Sequence, residues 1–152
     1  MEPKYEEIIK VINRLVVINE ERLETYLWAS SEIGELGLRS LFKQFASTSR
    51  EFSDELKNEL LKLRFRNNDI GQKPARVKKA WFDVHEAVAK RDRRKVLLSC
   101  EIAEEIMLQE YEIAIDMPGL PEEIRDIVHS QFAELVESHD TIRALRHALV
   151  EV

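Results

Sequence analysis

Leu97-Leu98-Ser99-Cys100-Glu101-Ile102-Ala103-Glu104-Glu105-Ile106-Met107-Leu108-Gln109-Glu110-Tyr111 is the stretch whose reading decides the fold. Taken at alternating steps of four and three, it gives Leu97, Glu101, Glu104, Leu108, Tyr111 and then Ile115. On an α-helix these positions form one stripe, the side that faces a partner. Glu101 and Glu104 stand in that stripe where leucine is expected. A carboxylate among apolar side chains is costly unless a cation, a proton or hydrogen-bond donors accompany it. The segment therefore predicts a packed helix and a polar place inside the packing.

The same periodicity continues outward in both directions. A first helix is predicted from Pro3 to Ile33, with Ile8, Ile12, Leu15, Tyr26, Ala29 and Ile33 on its stripe and Asn19 and Arg22 interrupting it. Gly34 and Gly37 punctuate its end. A second runs from Leu38 to Arg66 on Leu38, Phe42, Phe45, Ser49, Phe52, Leu56, Leu60 and Leu63. Asn67, Asn68, Asp69, Gly71 and Pro74 then read as a loop, followed by a short helix from Ala75 to Lys90. Asp92 is placed to cap the third long helix, Arg93 to Met117. Pro118-Gly119-Leu120-Pro121 stops it, and a fourth runs from Pro121 to Leu149 on Ile124, Val128, Gln131, Leu135, Ser138, Ile142, Leu145 and Leu149. Strand-like alternation is absent, and no interior linker divides the chain, so residues 1–152 are predicted as one all-α domain, a four-helix bundle.

The short helix carries topological information. About 16 helical residues at 1.5 Å and about 7 extended ones at 3.3 Å reach on the order of 45 Å, the length of a long helix. The insert is long enough to return the chain along the bundle and make the second and third long helices parallel, the single crossover of ferritin-like bundles; the alternative is a short helix packed across one end of a simple bundle.

Composition narrows the function classes. The chain is 44% hydrophobic and 34% charged, with four Gly, four Pro and a formal net charge of −6. An acidic chain whose Lys and Arg are interleaved with Asp and Glu predicts no nucleic-acid partner. No apolar run approaches ~20 residues and the N-terminus lacks an apolar leader, so a cytoplasmic protein without membrane attachment is expected. Cys100 is the sole cysteine and reads as a small core hydrophobe. Gly-rich phosphate loops, Cys-x-x-Cys and Gly-x-Ser-x-Gly are all missing. Ile9, Val16 and Leu23 are spare apolar positions that predict a homo-oligomer, a dimer.

The four long stripes break at similar depth. Asn19 and Arg22, Ser49, Glu101 and Glu104, and Gln131 and Ser138 imply a polar layer across the bundle, with Asn19, Arg22 and Gln131 at its core. Three arrangements satisfy this pattern. A two-metal carboxylate site needs Glu-x-x-His on two helices, and the sequence holds none. An ionic layer pairs Arg22 with Glu101 or Glu104, its planar fork suiting a carboxylate. In the third, the seam drifts to Cys100, Met107 and Ala114, leaving Glu101 and Glu104 on the rim.

Several segments together resemble the ferritin-like four-helix-bundle family of bacterial proteins of unknown function, distantly similar to rubrerythrin-type bundles. They are Asn19-Glu20-Glu21-Arg22-Leu23-Glu24-Thr25-Tyr26, Leu41-Phe42 through Phe45-Ala46, Ser49-Arg50-Glu51-Phe52, Lys79-Ala80-Trp81, Cys100-Glu101 with Glu104-Glu105 and Tyr111-Glu112, and Ser138-His139-Asp140-Thr141-Ile142-Arg143-Ala144-Leu145-Arg146. The resemblance spans nearly the whole chain. It implies the crossover topology and favours a bound metal. The intact bundle pattern without Glu-x-x-His predicts a stress-related or interaction module without catalysis; the alternative, carried by Glu101 and Glu104 in the seam, is a divergent di-metal carboxylate protein, an oxidoreductase or a metal store. Its ligands would come from Glu24, Glu51, Glu101, Glu104, Glu134 and His139, and the metal stays open between iron, manganese and none.

Overall fold

The computed structural model describes residues 2–63 and 73–150. Five helices follow in order: α1 (Glu2–Glu32), α2 (Leu36–Lys62), α3 (Ala75–Ala89), α4 (Arg93–Ile115) and α5 (Glu122–Val150), with no strand among the described residues. The expected loop residues Asn67, Asn68, Asp69 and Gly71, and the expected last turn of the second helix to Arg66, lie outside the described residues.

Local chemistry accounts for the boundaries. The chain turns at 33–35, and Gly37 falls in the first turn of α2 rather than in the connection. The helix α3 ends where Arg91 adopts φ 56°, the left-handed region. There the amide N–H of Arg91 donates to the Val88 carbonyl at 3.0 Å and that of Asp92 to the Ala87 carbonyl at 3.4 Å. This is the Schellman closure, with arginine where glycine is usual. Asp92 caps α4 as its sequence position predicts, its Oδ1 accepting from the Lys95 amide at 3.2 Å. At its other end α4 stops at Ile115, ahead of Met117, because a residue before proline disfavours the helical region. Gly119 then takes φ 83°, and the Arg125 guanidinium donates to the Ile115 and Met117 carbonyls left free by the helix end.

Cross-helix contacts give the directions. Along α1 and α2, Arg22 meets Phe45 and Ser49, and Glu20 meets Lys57, so the two are antiparallel. Along α1 and α4, Arg14 meets Glu110 and Arg22 meets Glu104, again antiparallel. The helices α2 and α4 therefore point the same way. The short α3 packs on α1 and α4, and α5 packs chiefly on α4.

Every helix contributes to one hydrophobic cluster. At its middle, α1 is buried over five consecutive residues, Leu15, Val16, Val17, Ile18 and Asn19. A helix enclosed on all sides shows no polar face. Val16 is therefore inside the chain rather than a spare surface position, and Ile9 and Leu23 are partly buried against the same core. Tyr26 lies at the centre of an aromatic group, with ring centroids 4.9 Å from Phe42, 5.3 Å from Phe45 and 5.2 Å from Trp81.

Candidate functional site

Beside that aromatic group lies a charged pair with no contact with water. Arg22 on α1 and Glu104 on α4 have fully buried side chains. The guanidinium meets the carboxylate as a fork, Nε to Oε2 at 2.7 Å and Nη2 to Oε1 at 2.9 Å. Two parallel charge-assisted bonds fix both planes. The Tyr26 hydroxyl donates a third bond to Glu104 Oε2 at 3.0 Å. On its far side the guanidinium donates from Nη1 to the Phe45 carbonyl at 3.0 Å and to Ser49 Oγ at 2.8 Å. Its carbon also lies 5.2 Å from the Tyr26 ring centroid and 5.1 Å from that of Phe45, within cation–π range. Burial alone would favour neutral arginine, but the Glu104 charge and its hydrogen bond hold the guanidinium above its ordinary pKa.

From Arg22 a single run of hydrogen bonds crosses the core. Ser49 Oγ donates to Asn19 Oδ1 at 3.0 Å, and Asn19 Nδ2 donates to the Tyr111 hydroxyl at 2.8 Å. Tyr111 donates to Gln131 Oε1 at 2.6 Å, and Gln131 Nε2 donates to Glu55 Oε1 at 2.8 Å and the Phe52 carbonyl at 3.3 Å. The run thus begins at a buried cation and ends at an exposed carboxylate on α2. Every donor points the same way, and aligned bonds polarise one another. Asn19 Nδ2 also donates to the Leu15 carbonyl at 2.8 Å, which fixes the amide's orientation.

The three residues expected at the core of the polar layer, Asn19, Arg22 and Gln131, are thus buried and linked, with Ser49 between them. Ser138 is buried but turns back to the Glu134 carbonyl at 3.2 Å and stays out of the network. The two carboxylates of the opening stripe part company. Glu104 is inside, while Glu101 sits on the rim and pairs with Arg146 of α5, whose hydrogen bond holds the Glu101 carboxyl below its ordinary range. Cys100, Met107 and Ala114 form the apolar seam of α4 between them. The structure therefore combines an ionic layer at Glu104 with a drifted seam that leaves Glu101 outside.

The remaining residues of the expected ligand set are dispersed. Glu24 is exposed and lines an open surface groove with Trp28, Arg39 and Lys43. Glu51 on α2 and Glu134 on α5 are both exposed. Partial burial, then the like charges of Glu51, Glu137 and Glu55, push the Glu134 carboxyl up. His139 Nδ1 lies 3.2 Å from Asp140, and its Nε2 is buried without a partner. Among the described residues no three His, Cys, Asp or Glu side chains converge to hold a metal ion. The Cys100 thiol is fully enclosed, and burial followed by the neighbouring Glu104 charge raises its pKa, so it is held protonated.

Sequence periodicity missed a second buried carboxylate on α4. Glu110 of α4 is 2% exposed and accepts from Arg14 Nε at 2.6 Å and from Arg76 Nη2 at 2.7 Å. Burial alone would raise its pKa, but the two guanidinium groups outweigh it and hold the carboxyl below its ordinary range. The signal was present: Glu110 continues the spacing of Ala103 and Met107, on the side of α4 that faces α1 and α3.

The family model described as Domain of unknown function (DUF2383) matches residues 7–117. That span holds most of α1, all of α2, α3 and α4, and with them Asn19, Arg22, Ser49, Glu104 and Tyr111. No curated protein matches the chain.

Proposed function

This chain belongs to the DUF2383 family, and from that premise we propose that it is a ferritin-like four-helix bundle, a single domain with an inert ionic core, acting as a non-catalytic interaction module. The observation that carries this reading is that both oxygens of Glu104 are already engaged. Both carboxylate oxygens accept from Arg22, and Oε2 also accepts from Tyr26. Glu104 is the innermost of the carboxylates on the opening stripe, and it is where a metal pair between the helices would find its ligand. The guanidinium already supplies the compensating charge there, and its bonds to Ser49 and Phe45 tie it to α2.

The crossover arrangement is supported by the shared direction of α2 and α4 and by α3 lying along α1 and α4. A layer of this kind favours one register among the helices more than it adds net stability. Chemistry at Glu104 would first require displacing Arg22, which leaves a desolvated cation without its counter-charge. The bundle then offers its surfaces rather than its core as the working part.

Elemental analysis tests this directly. Protein purified from cells supplied with iron and manganese is expected to carry neither in stoichiometric amount. Its thermal midpoint should be unchanged by added iron, manganese or zinc. Stoichiometric metal in the wild type that disappears in Glu104→Ala would overturn the reading in favour of a di-metal carboxylate protein.

A further inference from the structure

The outer face of α4 carries large apolar side chains that stay exposed among the described residues. Leu98 is 44% exposed, Ile102 47% and Ile113 56%, while Ile106 between them is partly buried. Among the described residues, α1 and α2 hold two exposed large apolar side chains each, α3 one and α4 three. At 100° per residue, positions 98, 102, 106, 109 and 113 fall within about 80° of arc, one continuous stripe roughly 22 Å long. Gln109 is the polar member, and its Oε1 is taken by Arg76 at 2.7 Å. A stripe of this length that remains in water usually marks a contact surface.

The charges beside the stripe identify the occupant. Arg94 and Lys95 flank its start, and Glu105, Glu112 and Asp116 flank its middle and end, all exposed. Neither the Lys95 nor the Asp116 side chain forms an ion pair among the described residues. The face is therefore basic at its start and acidic from its middle to its end. We propose that the outer face of α4 is a homodimer interface, in which α4 of a second copy packs antiparallel about a two-fold axis near Glu105 and Ile106. That pairing brings Leu98 of each copy against Ile113 of the other and Ile102 against Gln109. It also sets Lys95 of each copy beside Asp116 of the other, with Arg94 in reach of the same acidic end. A parallel pairing would instead place Lys95 on Lys95 and Asp116 on Asp116, which the charges oppose. Two-fold packing of a patch on itself is the usual geometry of a dimer.

The contact is modest. A single helix pair of this length covers less than the roughly 800 Å² per partner of a standard interface. Association is then concentration dependent, and the flanking ion pairs decide its direction. This inference is independent of the reading given to the buried core, because none of its side chains is hydrogen-bonded or ion-paired to Arg22 or Glu104.

Sedimentation velocity over a concentration series of the full chain tests it. The wild type is expected to move from monomer to dimer as concentration rises. Ile102→Glu and Ile113→Glu, both at exposed sites, are expected to keep their helical content and to weaken dimerisation at least tenfold. Lys95→Glu alone and Asp116→Lys alone should each weaken it, and the double variant should restore it, because the pairs are then re-formed with exchanged signs. A wild type that stays monomeric to its solubility limit overturns the proposal. So does a dimer indifferent to both Ile102→Glu and Ile113→Glu. Failure of the double variant to recover would overturn the antiparallel pairing.

Discussion

Arg22→Leu is the most informative single change. It removes the guanidinium from Glu104 and leaves a carboxylate at 0% exposure with only the Tyr26 hydroxyl as donor. Breaking one side of a buried ion pair costs about 3–5 kcal/mol, because the partner is left charged and desolvated. For a chain of this size that loss lowers the thermal midpoint by roughly 6–20 °C. Glu104→Leu should cost a similar amount for the mirror reason, stranding the cation. The double variant Arg22→Leu/Glu104→Leu leaves no unpaired charge. What remains is the loss of partners for Tyr26, Ser49 and the Phe45 carbonyl, groups worth about 1–3 kcal/mol each only where water cannot replace them. The two single losses should therefore exceed the double loss by about 2 kcal/mol or more, a coupling that only neighbours show. Urea denaturation of the four proteins, followed by far-UV circular dichroism, supplies the cycle. A single-variant loss below ~0.5 kcal/mol, the size of a solvent-exposed pair, would refute the argument, as would simple additivity.

Two further changes probe features at the edge of the core. Glu110 has a depressed folded pKa, so its contribution is present above the ordinary carboxylate value and is lost as pH falls through the folded one. Glu110→Gln should cost about 1–2 kcal/mol at neutral pH, with the gap to wild type closing in acid; a gap that stays constant with pH would count against the assignment. Arg91 holds a left-handed φ of 56° at an exposed position. Arg91→Gly should raise stability by about 0.5–1 kcal/mol by relieving that strain, net of glycine's greater freedom when unfolded. A lower urea midpoint for this variant would show that Arg91 makes a contribution the backbone argument omits.

Much of the helix plan was legible because each boundary has a local cause. The α4 cap at Asp92 and the stop at Pro118-Gly119 are readable from single residues. So was the partnership of Arg22 with a carboxylate on α4, since both interrupt their stripes at matching depth. Which carboxylate it was did not follow from spacing. Positions 101 and 104 lie about 60° apart on the helix, and only the placement of α1 and α5 decides which of them is enclosed. Glu101 reaches Arg146 because α5 runs beside that edge. Glu110 escaped notice for the converse reason. Its partners, Arg14 and Arg76, come from two other helices and are half exposed, so neither looks like a core residue in its own segment. Tyr111 and Tyr26 read as packing residues, and their hydroxyls matter only once the neighbouring amide and carboxylate are in place. Val16 is not a spare apolar position, because α1 is enclosed by several neighbours at its middle, which no one-sided stripe anticipates.

The one-way run from Arg22 to Glu55 has a consequence for how the helices choose each other. Apolar stripes tolerate sliding: a helix displaced by a turn, about 5.4 Å, still presents leucines to leucines. The hydrogen-bonded run does not. Asn19 Nδ2 faces the Leu15 carbonyl and Gln131 Nε2 faces the Glu55 carboxylate and the Phe52 carbonyl, all acceptors only, so an amide turned end for end would set oxygen against oxygen. A slipped or mirror-handed assembly would place Arg22 against leucine and leave Glu104 bare. The layer thus works as a combination lock on the assembly, penalising near-correct arrangements that hydrophobicity alone would accept.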